Sequence, residues 1–132
     1  MKPTVLDAHA LLAYLQREPG FETVRSLFAD AAVEGARLLM TSVNMGEVFY
    51  IVLRERGPAK LAEIEELVEK LPLEVVVADL ALAKQAASLK ASKRMSYADC
   101  FAAALARMRG GEVVTGDPEF RAVEKEISVH WL

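Results

Sequence analysis

Residues 96–118 read SYADCFAAALARMRGGEVVTGDP, and this stretch decides the fold class. Ser96 stands where a helix N-cap is wanted, and Asp99 follows three positions on. From Cys100 to Ala106 the chain is apolar nearly all round the helical wheel, which predicts a buried helix running from Ser96 through Arg109. Gly110-Gly111 closes it. Glu112 to Thr115 then reads as a short strand, stopped by Gly116-Asp117-Pro118. A buried helix feeding a short apolar strand is what a sheet covered by helices requires.

The remaining chain repeats this alternation. Thr4-Val5-Leu6 is a short strand-like run ending at Asp7. Ala8 to Arg17 carries Leu11, Leu12 and Leu15 on one side and stops at Pro19-Gly20. Phe21 to Ala32 repeats the pattern with Val24, Leu27 and Phe28, ending near Gly35. Arg37 to Met40 is a second strand, and Thr41 or Ser42 begins a helix that reaches Arg56, before Gly57-Pro58. Ala59 to Leu71 is amphipathic, with Leu61, Ile64, Leu67, Val68 and Leu71 in register. Leu73 to Val77 reads as a buried strand, Asp79 as an N-cap, Leu80 to Lys90 as a helix, and Ser128 to Trp131 as a last short strand. The expected fold is α/β: a mostly parallel sheet of four to five short strands flanked by helices, in a single domain spanning residues 1–132. In such sheets ligands bind at the carboxyl ends of the strands, so chemistry is sought there.

Composition narrows the class. The chain has 132 residues, 53% of them hydrophobic, which suits a packed core and excludes a disordered chain. Its longest apolar runs are too short to cross a bilayer, and Met1-Lys2-Pro3-Thr4 leads straight into a strand, so neither membrane anchoring nor a signal peptide is expected, and a cytoplasmic location is. Cys100 is the single cysteine and lies in an apolar segment, which predicts packing rather than thiol chemistry. The net charge of −3 argues against a globally basic nucleic-acid surface. Charge is nevertheless segregated: Lys84, Lys90, Lys93 and Arg94 form a basic block leading up to Asp99, while Glu63, Glu65, Glu66 and Glu69 share one helix.

Asp7 and Asp117 directly follow the first and fourth strands, and Glu47 lies in the first turns of the helix after the second. Asp99 heads the buried helix, which follows another helix rather than a strand. Each acid also has a structural reading. Asp7 and Asp117 suit N-caps, and Asn44 to Glu47 and Ser96 to Asp99 resemble capping boxes, the second loosely because Asp is shorter than Glu. A carboxylate at the head of a buried helix is costly unless a charge meets it, and capping does not require several acids to share one cleft. Oxygen-only donors suit Mg²⁺ or Mn²⁺, whereas His9 and His130 form no zinc motif. Residue chemistry thus reaches an acidic metal site, with capping as the standing alternative.

Four segments in order carry a family resemblance: Val5-Leu6-Asp7-Ala8-His9-Ala10-Leu11-Leu12, Asn44-Met45-Gly46-Glu47-Val48, Ser96 through Ala104, and Val113-Val114-Thr115-Gly116-Asp117-Pro118-Glu119-Phe120. Together they resemble a PIN domain, more narrowly a VapC-type toxin of a toxin–antitoxin pair. The resemblance implies a PIN-like three-layer sandwich and a metal-dependent endoribonuclease. It makes Asp7, Glu47, Asp99 and Asp117 the acidic quartet holding Mg²⁺ or Mn²⁺. Asn44, Thr115 and Ser96 then support the site by hydrogen bonding. It also implies an RNA substrate, a homodimer and a cognate antitoxin whose tail lies in an apolar groove, with the Ala-rich helix and the faces holding Phe49 and Leu61 as candidate surfaces. His9 departs from the Ser or Thr common two residues after the first acid. An imidazole there has three readings: a phosphate contact, a side chain that switches charge near neutrality, or a filler of the cleft rim. Lys93 and Arg94 are near enough to Asp99 in sequence to meet a substrate backbone, or are simply a solvated pair.

Three alternatives stand beside this. A phosphotransfer domain built on Asp7 lacks a second acid two residues on, and no P-loop or G-x-G-x-x-G is present. A catalytically inactive PIN-like module that binds RNA or protein would be expected to have lost acids. A structural domain whose acids only cap helices predicts no stabilisation by divalent ions.

Overall fold

The computed structural model describes residues 2–132. Strand β1 (Thr4–Leu6) leads into α1 (Ala8–Leu15) and α2 (Phe21–Glu34), then β2 (Leu38–Thr41), α3 (Ser42–Arg56) and α4 (Pro58–Lys70). The chain continues through β3 (Leu73–Val76), α5 (Leu80–Ser92), α6 (Tyr97–Met108), β4 (Glu112–Thr115), a 3₁₀ turn (Pro118–Ala122) and β5 (Ser128–Trp131). The five strands lie in the order β3-β2-β1-β4-β5, and every neighbouring pair is parallel. The expected helix-flanked parallel sheet is the fold observed.

Alternation along the short strands divides the core between two faces. Val5, Leu39 and Val113 pack with α5, α6 and Phe120, whereas Leu6, Leu38, Met40 and Val114 pack against α1 to α4. Registers Val5↔Val113 and Leu6↔Val114 keep the two sets aligned, so each strand residue faces one layer only. The run Cys100–Ala106 is buried throughout. Its small side chains let α6 lie close to the sheet, which removes it as a partner surface and assigns Cys100 to packing.

Two local expectations change. Leu73 to Val77 is not a buried strand: β3 is the sheet's edge, with Val75 42% and Val77 74% exposed. An apolar β-branched run reads the same at an edge as in the middle, because sequence does not report how many neighbours a strand has. Helix α3 starts at Ser42 with Thr41 as its N-cap, so Asn44 is no capping residue. Thr41 Oγ1 accepts from the Asn44 amide at 3.0 Å directly at the strand's end, and the helix begins without a loop.

From β1 the chain steps to β2 and β3 on one side, and later returns to β4 and β5 on the other. The strand order therefore reverses between β1 and β4, and the crevice at their carboxyl ends is the natural site for a ligand. Asp7 and Asp117 are the residues that leave those two ends.

Candidate metal centre

At the crevice, capping and site geometry prove compatible because a carboxylate has two oxygens. Asp7 Oδ1 accepts from the Ala10 amide at 2.8 Å, starting α1, while Oδ2 accepts from the Thr115 hydroxyl. Thr115 Oγ1 in turn accepts from the Asp117 amide at 2.9 Å, so one buried hydroxyl ties the ends of β1 and β4 together. Asp117 Oδ1 accepts from the Glu119 amide at 2.9 Å and starts the 3₁₀ turn. Ser96 Oγ accepts from the Asp99 amide at 3.1 Å, the N-cap expected of it.

Asn44 is fully buried and joins two elements: its Nδ2 donates to Glu47 Oε1 and to the Ala98 carbonyl, each at 3.0 Å. Its Oδ1 accepts from the Thr41 hydroxyl at 2.5 Å, fixing which way the amide faces. Asn44 thereby holds the second-turn carboxylate of α3 beside the first turn of α6. That crossing explains how Asp99, whose helix follows no strand, reaches the carboxyl edge.

Electrostatics report one shared acidic patch. Burial raises the Asp7 carboxyl to about 6, against opposing hydrogen bonds from Thr115 and Ala10. Burial raises Asp99 further, to about 8, reinforced by the Asp117 charge, a hydrogen bond shared with Asp117 and the charge of Asp7. Glu47 is raised too, mainly by burial, with Asn44 acting against and the Asp117 charge adding to it. Acids from β1, α3, α6 and the end of β4 thus sense one another, as independent helix caps need not.

Oxygen ligand atoms of Asp99, Asp117 and Glu119 lie within 4.8 Å of one another, a spacing that one cation can span. All are hard carboxylate donors, so the set fits Mg²⁺ or Mn²⁺. The only sequence signal for Glu119 is its place two residues after Asp117, at the start of a 3₁₀ turn. It also accepts from the Ser96 amide at 2.7 Å.

His9 is exposed, and its ring lies over Gly116: a Cβ there would meet His9 Cε1 at 2.4 Å. The imidazole therefore sits on the rim between the Asp7 and Asp117 turns, and lines a cavity of about 370 Å³ with Glu18, Gly20 and Leu132. The basic block is partly occupied. Lys93 pairs with Glu126, Lys90 donates to the Met95 carbonyl at 2.8 Å, and Arg94 is exposed.

The chain belongs to the PIN domain family, whose profile matches residues 4–126. Among solved structures it is similar to VapBC from Salmonella typhimurium bound to DNA, at 25% identity and TM-score 0.76, covering 98% of each chain. It also resembles VapBC2 from Rickettsia felis bound to a promoter DNA fragment, at 13% identity and TM-score 0.77 over 96% of each chain. A third likeness is to Mycobacterium tuberculosis VapC20, described as a toxin cleaving the sarcin–ricin loop, at 17% identity and TM-score 0.73 over 91% of this chain and 94% of that one. The latter two likenesses show the shared fold alone. No curated protein matches the chain by sequence.

Proposed function

We propose that this chain is a divalent-metal-dependent endoribonuclease, the toxin of a VapBC-type toxin–antitoxin pair, acting in the cytoplasm. The observation that carries the reading is the convergence of Asp7, Glu47, Asp99 and Asp117 at the strand-order reversal, with the first three carboxyls raised by burial and, at each, by a neighbouring acid. Mutual repulsion of this kind is relieved by a cation, and binding one releases protons. RNA is the proposed substrate by analogy with VapC20, a toxin that cleaves the sarcin–ricin loop and with which the chain shares its fold.

Asp7 and Asp99 would be the principal ligands, Asp117 would hold a second or water-mediated position, and Glu47 would be a ligand or orient water. When bound, Mg²⁺ or Mn²⁺ supplies Lewis-acid chemistry, neutralising phosphate charge and making water more acidic. The chain's part is to hold those acids still: Thr115 locks Asp7, Asn44 locks Glu47, and Ser96 locks the backbone of Asp99. His9, on the rim beside Gly116, would touch a phosphate of the substrate. Arg94 is the freer cation of the Lys93–Arg94 pair for a phosphate contact. Reversing both charges is expected to reduce the salt dependence of RNA binding.

A cognate antitoxin and a second copy of the chain are the proposed protein partners. The groove lined by Met45, Phe49, Val68 and Val75, where Val75 is exposed, supports a protein-binding surface there.

The test is cleavage of a structured-RNA pool by metal-stripped protein, with and without Mg²⁺ or Mn²⁺, alongside Asp99→Asn and Asp7→Asn. Metal-dependent cutting that both variants abolish while staying folded is the expected result. RNA binding without turnover would instead make the chain an inactive binding module. No cutting and no stabilisation by either ion would leave the acids as helix caps.

A further inference from the structure

A relay of three hydrogen bonds runs between two acids of the site. Asp117 Oδ1 accepts from the Glu119 amide at 2.9 Å, Glu119 Oε1 accepts from the Ser96 amide at 2.7 Å, and Ser96 Oγ accepts from the Asp99 amide at 3.1 Å. The middle bond spans 23 residues of sequence and fastens the turn after β4 to the head of α6.

Ser96 is the N-cap of α6, and Asp99 is its N3 residue. In a capping box the N3 carboxylate, usually Glu or Gln, folds back onto the N-cap amide. Here that amide takes Glu119 from another element, and the N3 carboxylate faces the crevice with Asp117. A carboxylate accepting from a backbone amide at a helix N-terminus is a charge-assisted bond favoured by the helix dipole.

We propose that Glu119 is a positioning residue, completing the α6 capping box in place of Asp99, so that Asp99 is free for the cation and its spacing from Asp117 is set. The proposal rests on the metal-site reading above. The need for such a tether follows from charge: once both are ionised, Asp99 and Asp117 lose their shared hydrogen bond and repel, and the 3₁₀ turn carrying Pro118 and Glu119 is solvent-exposed on its outer side. Phe120 anchors the far side of that turn in the core beside α6, and the Ser96–Glu119 bond fixes the near side, where Asp117 and Glu119 sit.

The competing role is direct ligation, since the Glu119 carboxylate lies within the same 4.8 Å cluster. Glu119→Gln and Glu119→Ala separate the two, because glutamine keeps the acceptor oxygen and loses the charge, whereas alanine loses both. Mn²⁺ binding would be titrated by electron paramagnetic resonance, and hydrogen exchange at the Ser96 amide followed in the metal-free protein. The expected result is Mn²⁺ affinity within about 3-fold of wild type for Glu119→Gln and about 10–100-fold weaker for Glu119→Ala, the usual range for groups that orient ligands. Ser96 exchange should accelerate only in Glu119→Ala. Equal loss of affinity in both variants would overturn the proposal in favour of ligation. Native affinity and native Ser96 exchange in Glu119→Ala would overturn it outright. If the wild-type chain binds no Mn²⁺, the metal-site reading fails, and Ser96 exchange alone then decides whether the capping bond exists.

Discussion

Thr115 illustrates how one hydroxyl serves the site in two directions. It donates to Asp7 and accepts from the Asp117 amide, and it is fully buried. Valine has nearly the same shape and neither capacity, so Thr115→Val leaves Asp7 with a raised carboxyl and one partner fewer, and strands the Asp117 amide. Mn²⁺ affinity and cleavage should each fall about 10–100-fold, with about 1–3 kcal/mol lost in chemical denaturation. Thr115→Ser keeps both bonds and should remain within a few-fold of wild type. Equal losses in the two variants would refute the hydroxyl account, because serine keeps the hydroxyl and valine keeps the methyl group.

Between α6 and β4, two adjacent glycines are needed for different reasons. Gly110 has φ 63°, in the left-handed region, and has open space around it. Gly111 has no room: a Cβ there would lie 2.0 Å from the Pro3 carbonyl oxygen, which also accepts from the Glu112 amide at 2.9 Å. Gly111→Ala must push β1 and β4 apart where their pairing begins, at Thr4↔Glu112. It should cost about 1–3 kcal/mol, as overpacking of a close contact does. Gly110→Asn should cost a few tenths to about 1 kcal/mol, because Asn tolerates the left-handed region better than other residues. Urea denaturation of both variants compares them directly, and a milder Gly111→Ala would refute the steric account. Since Asp7 and Asp117 leave those same two strands, Gly111→Ala should also weaken Mn²⁺ binding.

For the molecule as a whole, the buried acids make stability depend on pH in an unusual direction. Unfolded, Asp7 and Asp99 release their protons near 3.8; folded, they hold them to about 6 and about 8. Across that window the folded chain binds more protons than the unfolded one, so stability falls as pH rises from about 4 to about 8. The melting temperature of metal-free protein should therefore drop between pH 5 and pH 8, and Asp99→Asn should flatten the drop and melt above wild type at pH 8. Divalent ions are expected to reverse the effect, because binding at these carboxylates favours their ionised form. At 100 times the dissociation constant an ion adds about 2.7 kcal/mol, and the thermal shift from Mn²⁺ should be larger at pH 8 than at pH 6. A shift independent of pH would mean that the ion binds away from these carboxylates.

Sequence alone determined the order and type of the elements, since hydrophobic period and capping chemistry act locally and Gly110-Gly111, Ser96 and Asp79 mark their own boundaries. It also determined that acids follow the ends of β1 and β4, because a strand's carboxyl end is a position in the chain. What only the tertiary structure decided are relations across distance. The edge position of β3 depends on which strands pair, and nothing in Leu73 to Val77 records that. Thr41 capping α3, rather than Asn44, freed Asn44 to reach Ala98 from 54 residues away. Lys93 is held by Glu126, and the Ser96 amide by Glu119, pairings that nothing in the residues around Lys93 or Ser96 records. Whether an acid caps a helix or faces a cleft is settled by where its second oxygen points, and that is fixed only when the strands come together.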